Sequence, residues 1–488
     1  MELEKHFNRF RENIIGINHK FQSPFGEKEI IYADWIASGR LYFPIEKTLV
    51  ENFYPLVGNT HSETSETGTT MTKAYHETRQ IIKKHVNASS SDVLLFAGYG
   101  MTAAINKFQR ILGLRIPEQL QKYTSIPKEE KPIVFLTHME HHSNQTSWLE
   151  TICDVVIIEP DELGLVNLNH FKHLLDLYKN RKVKIASLTA ASNVTGIEPP
   201  IYEMAKMIHE YDGLCFVDYA AAAPYIKIDM HPEKPEEKLD AIFFSPHKFL
   251  GGPGSSGVLI FDSKLYNIKV PDHPGGGTVD WTNPWGLHKY IDDIEQREDG
   301  GTPGFLQAIK AALAIKLKEE MDIEKINLRE KELFNIAFER LLKIPSLHIL
   351  AQEHKERLGV ISFYIEDIHY NLMVKLLNDR YGIQVRGGCS CAGTYGHYLL
   401  HIDPTRSKRI TDKINQGDLT EKPGWVRLSL HPTMTNYELE IVLNGIEEII
   451  HNITTWKKDY IYSNKTNEYH HKDETDEHQK IRNMFKIV

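Results

Sequence analysis

The sequence predicts an α/β fold, a mostly parallel seven-stranded sheet covered by helices, with a smaller α+β domain after it. Seven short apolar runs carry the first part of that expectation, at residues 93–97, 133–137, 155–158, 184–188, 215–218, 241–245 and 257–261. Between most of them lie stretches with helical spacing, at 102–114, 168–179 and 201–211. Continuous apolar runs alternating with helical segments mark a parallel sheet buried on both faces. The last two runs are joined by a loop containing Gly251, Gly252 and Gly254, without room for a crossover helix, so that pair is expected to be antiparallel. From about Gly304 to Leu342 the pattern turns to one or two long helices, then to strand-like runs at 359–365 and 382–386 and a helical stretch at 437–450. That mixture is the smaller domain.

Length and composition bound the rest. The 488 residues suffice for one large and one smaller domain. Hydrophobic residues make up 41% and charged residues 25%, the ordinary range for a soluble globular chain. A formal charge of −9, with only short basic clusters (Lys182 and Lys184, Lys457 and Lys458), speaks against a nucleic-acid partner. No apolar run approaches the ~20 residues of a membrane helix. The charged N-terminus lacks the apolar core of a secretion signal, and four cysteines read as reduced thiols. A cytoplasmic protein without membrane association is expected. Residues 1–40 are assigned to an N-terminal segment packing with the small domain, 41–310 to the large domain, 311–455 to the small domain and 456–488 to a polar tail. Residues 114–131 and 397–422 read as surface insertions, and the stretch after Asn452 as packing little apolar surface. Within it, residues 468–480, with His470, His471 and His478, have the pattern of an exposed polar helix rather than of a metal site.

The chemistry is concentrated where apolar runs end. Lys248 follows one such run in Ser245-Pro246-His247-Lys248. Desolvation there lowers a lysine pKa and supplies the neutral amine that a Schiff base requires. Asp218 ends another run, in Phe216-Val217-Asp218. A lysine to hold an aldehyde and an acid to keep a pyridine nitrogen protonated are the two groups that pyridoxal phosphate chemistry needs, although a plain buried ion pair is the bland alternative. Gly98-Tyr99-Gly100-Met101-Thr102 opens a helix and suits a phosphate. His141, in Glu140-His141-His142, is placed to stack on a planar ring or shuttle protons, and no third ligand is spaced to make a zinc site. Asn193 is placed to donate a hydrogen bond to a ring hydroxyl.

In the second domain, Arg386-Gly387-Gly388-Cys389-Ser390-Cys391 puts thiols in a flexible loop. Trp425-Val426-Arg427-Leu428-Ser429 puts a guanidinium inside a strand, where a substrate carboxylate would be a fitting bidentate partner.

Taken together, Glu140-His141-His142, Val217-Asp218, Ser245-Pro246-His247-Lys248 and Arg386-Gly387-Gly388-Cys389-Ser390-Cys391 resemble the class V aminotransferase group of fold-type I pyridoxal phosphate enzymes. Within that group they are most similar to NifS-like cysteine desulfurases and selenocysteine lyases. The resemblance implies that Lys248 binds the cofactor aldehyde, His141 stacks on the ring, Asp218 pairs with its nitrogen and Asn193 lies near the ring hydroxyl or the substrate carboxylate. It implies that Met101, Thr102, Ser245 and His247 hold the phosphate, with Thr302 reaching across a homodimer interface to the partner's phosphate. Arg427, with Arg386, Asn193 and His61, would bind the substrate amino acid. Cys391, and not Cys389, falls on the position of the catalytic cysteine. The implied reaction converts L-cysteine to L-alanine with a persulfide on Cys391, which a sulfur-acceptor protein could then receive. A sister activity of the same fold (aminotransferase, epimerase or molybdenum-cofactor-sulfurase-like) would keep Lys248, Asp218 and His141 without using Cys391. Ala221 stands where that group usually has glutamine, and Ala103 where an acidic residue often follows the phosphate-loop threonine.

Overall fold

The computed structural model describes residues 2–474 and 478–487. Its centre is a seven-stranded sheet of β1 (Asp92–Ala97), β2 (Ile133–Thr137), β3 (Asp154–Ile158), β4 (Lys184–Thr189), β5 (Leu214–Asp218), β6 (Ala241–Phe244) and β7 (Gly257–Asp262). Their order across the sheet is β1-β7-β6-β5-β4-β2-β3. The five strands from β6 to β3 are mutually parallel, and β7 runs antiparallel to both β6 and β1. The glycine loop before β7 turns the chain back as expected. β2 and β4 are buried at every position, which explains why they read as unbroken apolar runs: helices cover both faces. The parallel strands therefore present their carboxyl ends along one edge.

On that edge, α1 (Met101–Ile111) leaves β1 and α2 (His142–Leu149) leaves β2. α3 (Phe305–Met321) and α4 (Ile323–Leu341) then lead into the small domain. Its sheet contains β8 (Leu347–Ile349), β9 (Val360–Ile365), β10 (Arg386–Gly388) and β11 (Trp425–Ser429), ordered β8-β9-β11-β10 and antiparallel throughout. Packed on it are α4, α5 (Tyr370–Tyr381) and α6 (Asn436–Trp456), in a core that includes Leu333, Phe363, Leu376, Leu428 and Leu443. A capping box of Thr435 and Glu438 starts α6. Leu439, Val442, Leu443, Ile446 and Ile449 form its buried stripe.

The N-terminal segment touches both cores. Phe7, Phe10, Trp35 and Ile36 join the large-domain core, whereas Ile31–Tyr32 pairs in parallel with Ile383–Gln384 of the small domain. The latter pairing breaks the run expected at 382–386 into two short strands, Ile383–Gln384 and β10.

The tail departs from expectation. β12 (Tyr460–Ser463) and β13 (Glu468–His471) form an antiparallel hairpin, so residues 468–471 are strand and not helix. Tyr460 is buried and donates to Asp379 Oδ2 at 3.0 Å, and Asn467 Nδ2 donates to the Tyr370 hydroxyl at 2.6 Å. His471 meets Phe25 edge-on at 5.2 Å. The polar sequence docks through the Tyr460 hydroxyl and the turn residue Asn467, both of which find partners on α5. Of the stretch expected to be helical, residues 475–477 lie outside the described residues. Among the described residues, no group of three or more His, Cys, Asp or Glu side chains could hold a metal ion, and no helix is long and apolar enough to cross a membrane.

Candidate active site

Lys248 sits in a tight turn, Pro246–Lys248, at the carboxyl end of β6. Two glycines hold that turn in place. A Cβ on Gly252 would stand 1.8 Å from the Pro246 carbonyl oxygen, and one on Gly39 would stand 1.9 Å from that of Phe249. Gly39 N–H also donates to the His247 carbonyl at 2.9 Å. Burial drives the lysine pKa down to about 8, with Asp218 pulling it up and Arg427 and Arg386 pushing it down. The amine is thus tuned toward its neutral, nucleophilic form.

Asp218 ends β5, buried, and its Oδ1 accepts the Ala220 N–H at 2.8 Å. Burial raises its pKa to about 6, opposed by that hydrogen bond and by Lys248. A cationic ring nitrogen brought against it would reverse the effect and fix the carboxylate.

His141 caps α2: its Nδ1 accepts the Ser143 N–H at 3.1 Å. Burial above all, then the charge of Lys248, depresses its pKa to about 3. The ring is therefore neutral at physiological pH with its proton on Nε2, a flat apolar face rather than a ready proton donor. Neighbouring Glu140, which the sequence offered only as part of a motif, is wholly buried and accepts from Thr137 Oγ1 at 2.7 Å, the Thr189 N–H at 2.9 Å and Asn144 Nδ2 at 2.7 Å. It ties the ends of β2 and β4 together beneath the histidine.

At the other side of the cavity, α1 begins at Gly100 with no side-chain cap. The Ala103 N–H turns to the Gly100 carbonyl at 3.1 Å, which leaves the Thr102 N–H as the group open to an anion among the described residues. The Met101 N–H is held by Ser245 Oγ at 2.8 Å, and Thr102 Oγ1 lies 2.7 Å from Ser143 Oγ. A Cβ on Gly100 would stand 2.9 Å from Ser245 Oγ, so glycine keeps this cradle open.

The small domain supplies the opposite wall. Arg427, in β11 and almost fully buried, donates from Nη2 to Asp34 Oδ1 at 2.7 Å and from Nη1 to the Asn193 carbonyl at 3.2 Å. Its Nε has no partner. Arg386 Nε donates to Asp34 Oδ2 at 3.1 Å. The anion expected for Arg427 is thus already present in part, as a carboxylate of the chain itself. Asn193 Nδ2 donates one of its two hydrogens to the Ser390 carbonyl at 2.7 Å, and its Oδ1 has no partner. The amide thus keeps an acceptor oxygen and a second N–H for a ring hydroxyl.

Cys391 is exposed, at a positive φ of 58°, following Ser390 at 52°. Its loop is fastened to the large domain at several points. The Cys391 carbonyl accepts the His142 N–H at 2.8 Å, Gly393 N–H donates to His142 Nε2 at 2.9 Å, and Thr394 Oγ1 donates to Gln145 Oε1 at 2.8 Å.

One cavity of about 180 Å³ brings these groups together, lined by Lys248, Asp218, His141, Asn193, Arg427 and Cys391, with Met101, Thr102, Ser245, His247 and Arg386 completing its walls. Thr302 and His61 are not among them. Thr302 lines a separate cleft beside Tyr99 and hydrogen-bonds to Asn59 Oδ1 at 3.2 Å. His61 lies near Gly277, with a φ of 66°.

Comparison with known proteins agrees with this fold. A family model described as Aminotransferase class-V matches residues 31–442. A protein of Halalkalibacterium halodurans named probable cysteine desulfurase is 28% identical over 369 residues, covering 74% of this chain and 84% of its own. A protein of the same name from Staphylococcus epidermidis is 29% identical over 371 residues, covering 75% and 84%. Among solved structures, the apo cysteine desulfurase of Thermococcus onnurineus superposes with a TM-score of 0.72 at 22% identity, covering 91% of this chain and 98% of that one. A NifS-like protein of Rickettsia africae gives 0.66 at 19%, covering 87% and 100%. The fold is the fold-type I architecture, and with most of its length matched by the family model, this chain belongs to the class-V aminotransferases.

Proposed function

We propose that this protein is a pyridoxal phosphate-dependent cysteine desulfurase that converts L-cysteine to L-alanine and places the sulfur on Cys391. The observation that carries the reading is the convergence of Cys391 from the small domain with Lys248, Asp218 and His141 from the large one in a single cavity. The names borne by the similar proteins support it.

The residues present fit the cofactor. The uncapped start of α1, with Ser245, Thr102 and His247, suits a phosphate. Lys248 is the amine for an aldehyde, and Asp218 the acid for a ring nitrogen. The neutral His141 offers a stacking face, and the orphaned Asn193 Oδ1 offers an acceptor. When bound, pyridoxal phosphate supplies an electron sink for the substrate's α-carbon.

The chain's own residues do the rest. Arg427, in the cavity wall, orients the substrate carboxylate. Lys248, the amine that would hold the cofactor aldehyde, would when free take the proton from the substrate Cα, and its pKa of about 8 lies near enough to return it. Cys391 attacks the substrate sulfur as thiolate: its Sγ–S bond forms as the substrate Cβ–S bond breaks, and the electron pair left at Cβ takes up a proton equal to the one the thiol lost, giving alanine and a protein persulfide. We assign the protein to the cytoplasm, acting as a homodimer in which Thr302 reaches the partner's phosphate site, with an acceptor protein receiving the sulfur.

Cys391→Ser tests the assignment. The variant is expected to keep the cofactor's visible absorbance and to lose sulfide release from cysteine in the presence of a dithiol. Unchanged sulfide release would reject the nucleophile. Absence of sulfide from the wild type, with transamination of keto acids instead, would favour a sister activity of the same fold.

A further inference from the structure

His142 is the first residue of α2, and it meets the loop that bears Cys391 twice. Its N–H, one of the first-turn donors that a helix leaves without an internal partner, donates to the Cys391 carbonyl at 2.8 Å. Its Nε2 accepts the Gly393 N–H at 2.9 Å. The two contacts fall on the two peptide planes that follow Cys391. On the first of those planes the Ala392 N–H donates to the Cys389 carbonyl at 3.0 Å and closes a tight turn over Ser390 and Cys391. Both turn residues have left-handed backbone, with φ of 52° and 58°, and neither is glycine. A side chain disfavours that conformation, so the turn must be held from outside. Ala392 is buried in the large-domain core, whereas Cys391 stays exposed.

We propose that His142 is a positioning residue for sulfur transfer: its backbone N–H and its imidazole Nε2 hold the turn that presents the Cys391 thiol at the cavity. The ring accepts at Nε2, so its hydrogen lies on Nδ1, and burial, which lowers its pKa, keeps it neutral. No lone pair is left to take the thiol's proton. The ring places the nucleophile and does not activate it. Gly393 belongs to the same arrangement, because a Cβ there would stand 3.1 Å from Nε2. Thr394 and the Ser390 carbonyl hold the loop on either side, through Gln145 and Asn193, but neither bond falls on the planes that follow Cys391. Adjacent histidines thus divide the work, His141 serving the cofactor ring and His142 the loop. The inference rests on the reading of Cys391 as nucleophile and adds the residue that places it.

The test uses the cofactor-loaded protein and two variants. His142→Phe keeps a ring and the N–H but has no acceptor, whereas the amide oxygen of His142→Gln can reach Gly393. Hydrogen exchange of residues 389–396 is followed by mass spectrometry. His142→Phe is expected to exchange there about tenfold faster than wild type and to release sulfide from cysteine about tenfold more slowly in single turnover. The cysteine concentration that half-saturates the change in cofactor absorbance should stay within about threefold of wild type, and His142→Gln should restore both rates to within about threefold. Unaltered exchange in His142→Phe, or faster exchange with an unaltered sulfide rate, overturns the proposal. Equal loss in both variants with weakened cysteine binding overturns it too, as the mark of a general structural fault. Should His142→Phe fail to fold, His142→Asn, too short to reach Gly393, takes its place with the same expectations. A wild type that releases no sulfide refutes the desulfurase reading and the positioning role with it. A wild type that does release sulfide, beside an unimpaired His142→Phe, refutes the positioning role alone.

Discussion

Lys248 carries a pH signature that bears directly on cofactor capture. Its folded pKa of about 8 lies below the ordinary lysine value because burial disfavours the ammonium. Below that pH the amine is mostly protonated and unreactive; above it, mostly free. Capture of pyridoxal phosphate by apo-protein is therefore expected to quicken as pH rises toward about 8 and then level off, which stopped-flow absorbance would read. A rate flat from pH 6 to 9 would contradict the placement of this amine. Lys248, Asp218 and His141 were legible in the sequence because each follows directly on an apolar run, where a strand hands its last side chain to the ligand edge. Asp34 was not. Its two partners lie 352 and 393 residues away along the chain, and no local pattern marks an acid as the mate of distant arginines. The bond from Asn193 Nδ2 to the Ser390 carbonyl of the other domain is equally invisible to local pattern.

Among the elements, the turn that bears Lys248 depends on absent side chains. Gly252→Ala would force a methyl against the Pro246 carbonyl, which backbone can escape only by opening the turn. The expected result is a folded protein that loses cofactor on dialysis, seen as loss of visible absorbance. The C-terminal hairpin makes a different prediction. Tyr460→Phe removes a donor from buried Asp379, which Lys375 also approaches at 3.3 Å. The cost should be about 1–3 kcal/mol in urea unfolding, if the small domain unfolds as one unit. The long helices and the apolar strands were visible as periodicity. This hairpin was not, because four-residue strands with charged neighbours give too few alternations to register. The two-residue strand Ile31–Tyr32 is shorter still, and only its partner Ile383–Gln384 defines it.

For the whole molecule, the two-domain plan followed from the switch in pattern near residue 304, but the way the domains meet did not, since contacts between distant segments leave no trace in spacing. Thr302 lies outside the cavity of its own chain. Sedimentation equilibrium should accordingly give the mass of two chains, and Thr302→Ala should weaken cofactor retention without altering that mass. A monomer that retains cofactor fully would contradict both.

The loop that bears Cys391 is moored to α2 and to Asn193 by four hydrogen bonds, although the strand behind it belongs to the small domain. A thiol so anchored has no tether on which to travel. Its range is the arc swept by rotation about one side-chain bond, and whatever collects its cargo must come to the doorway where it stands.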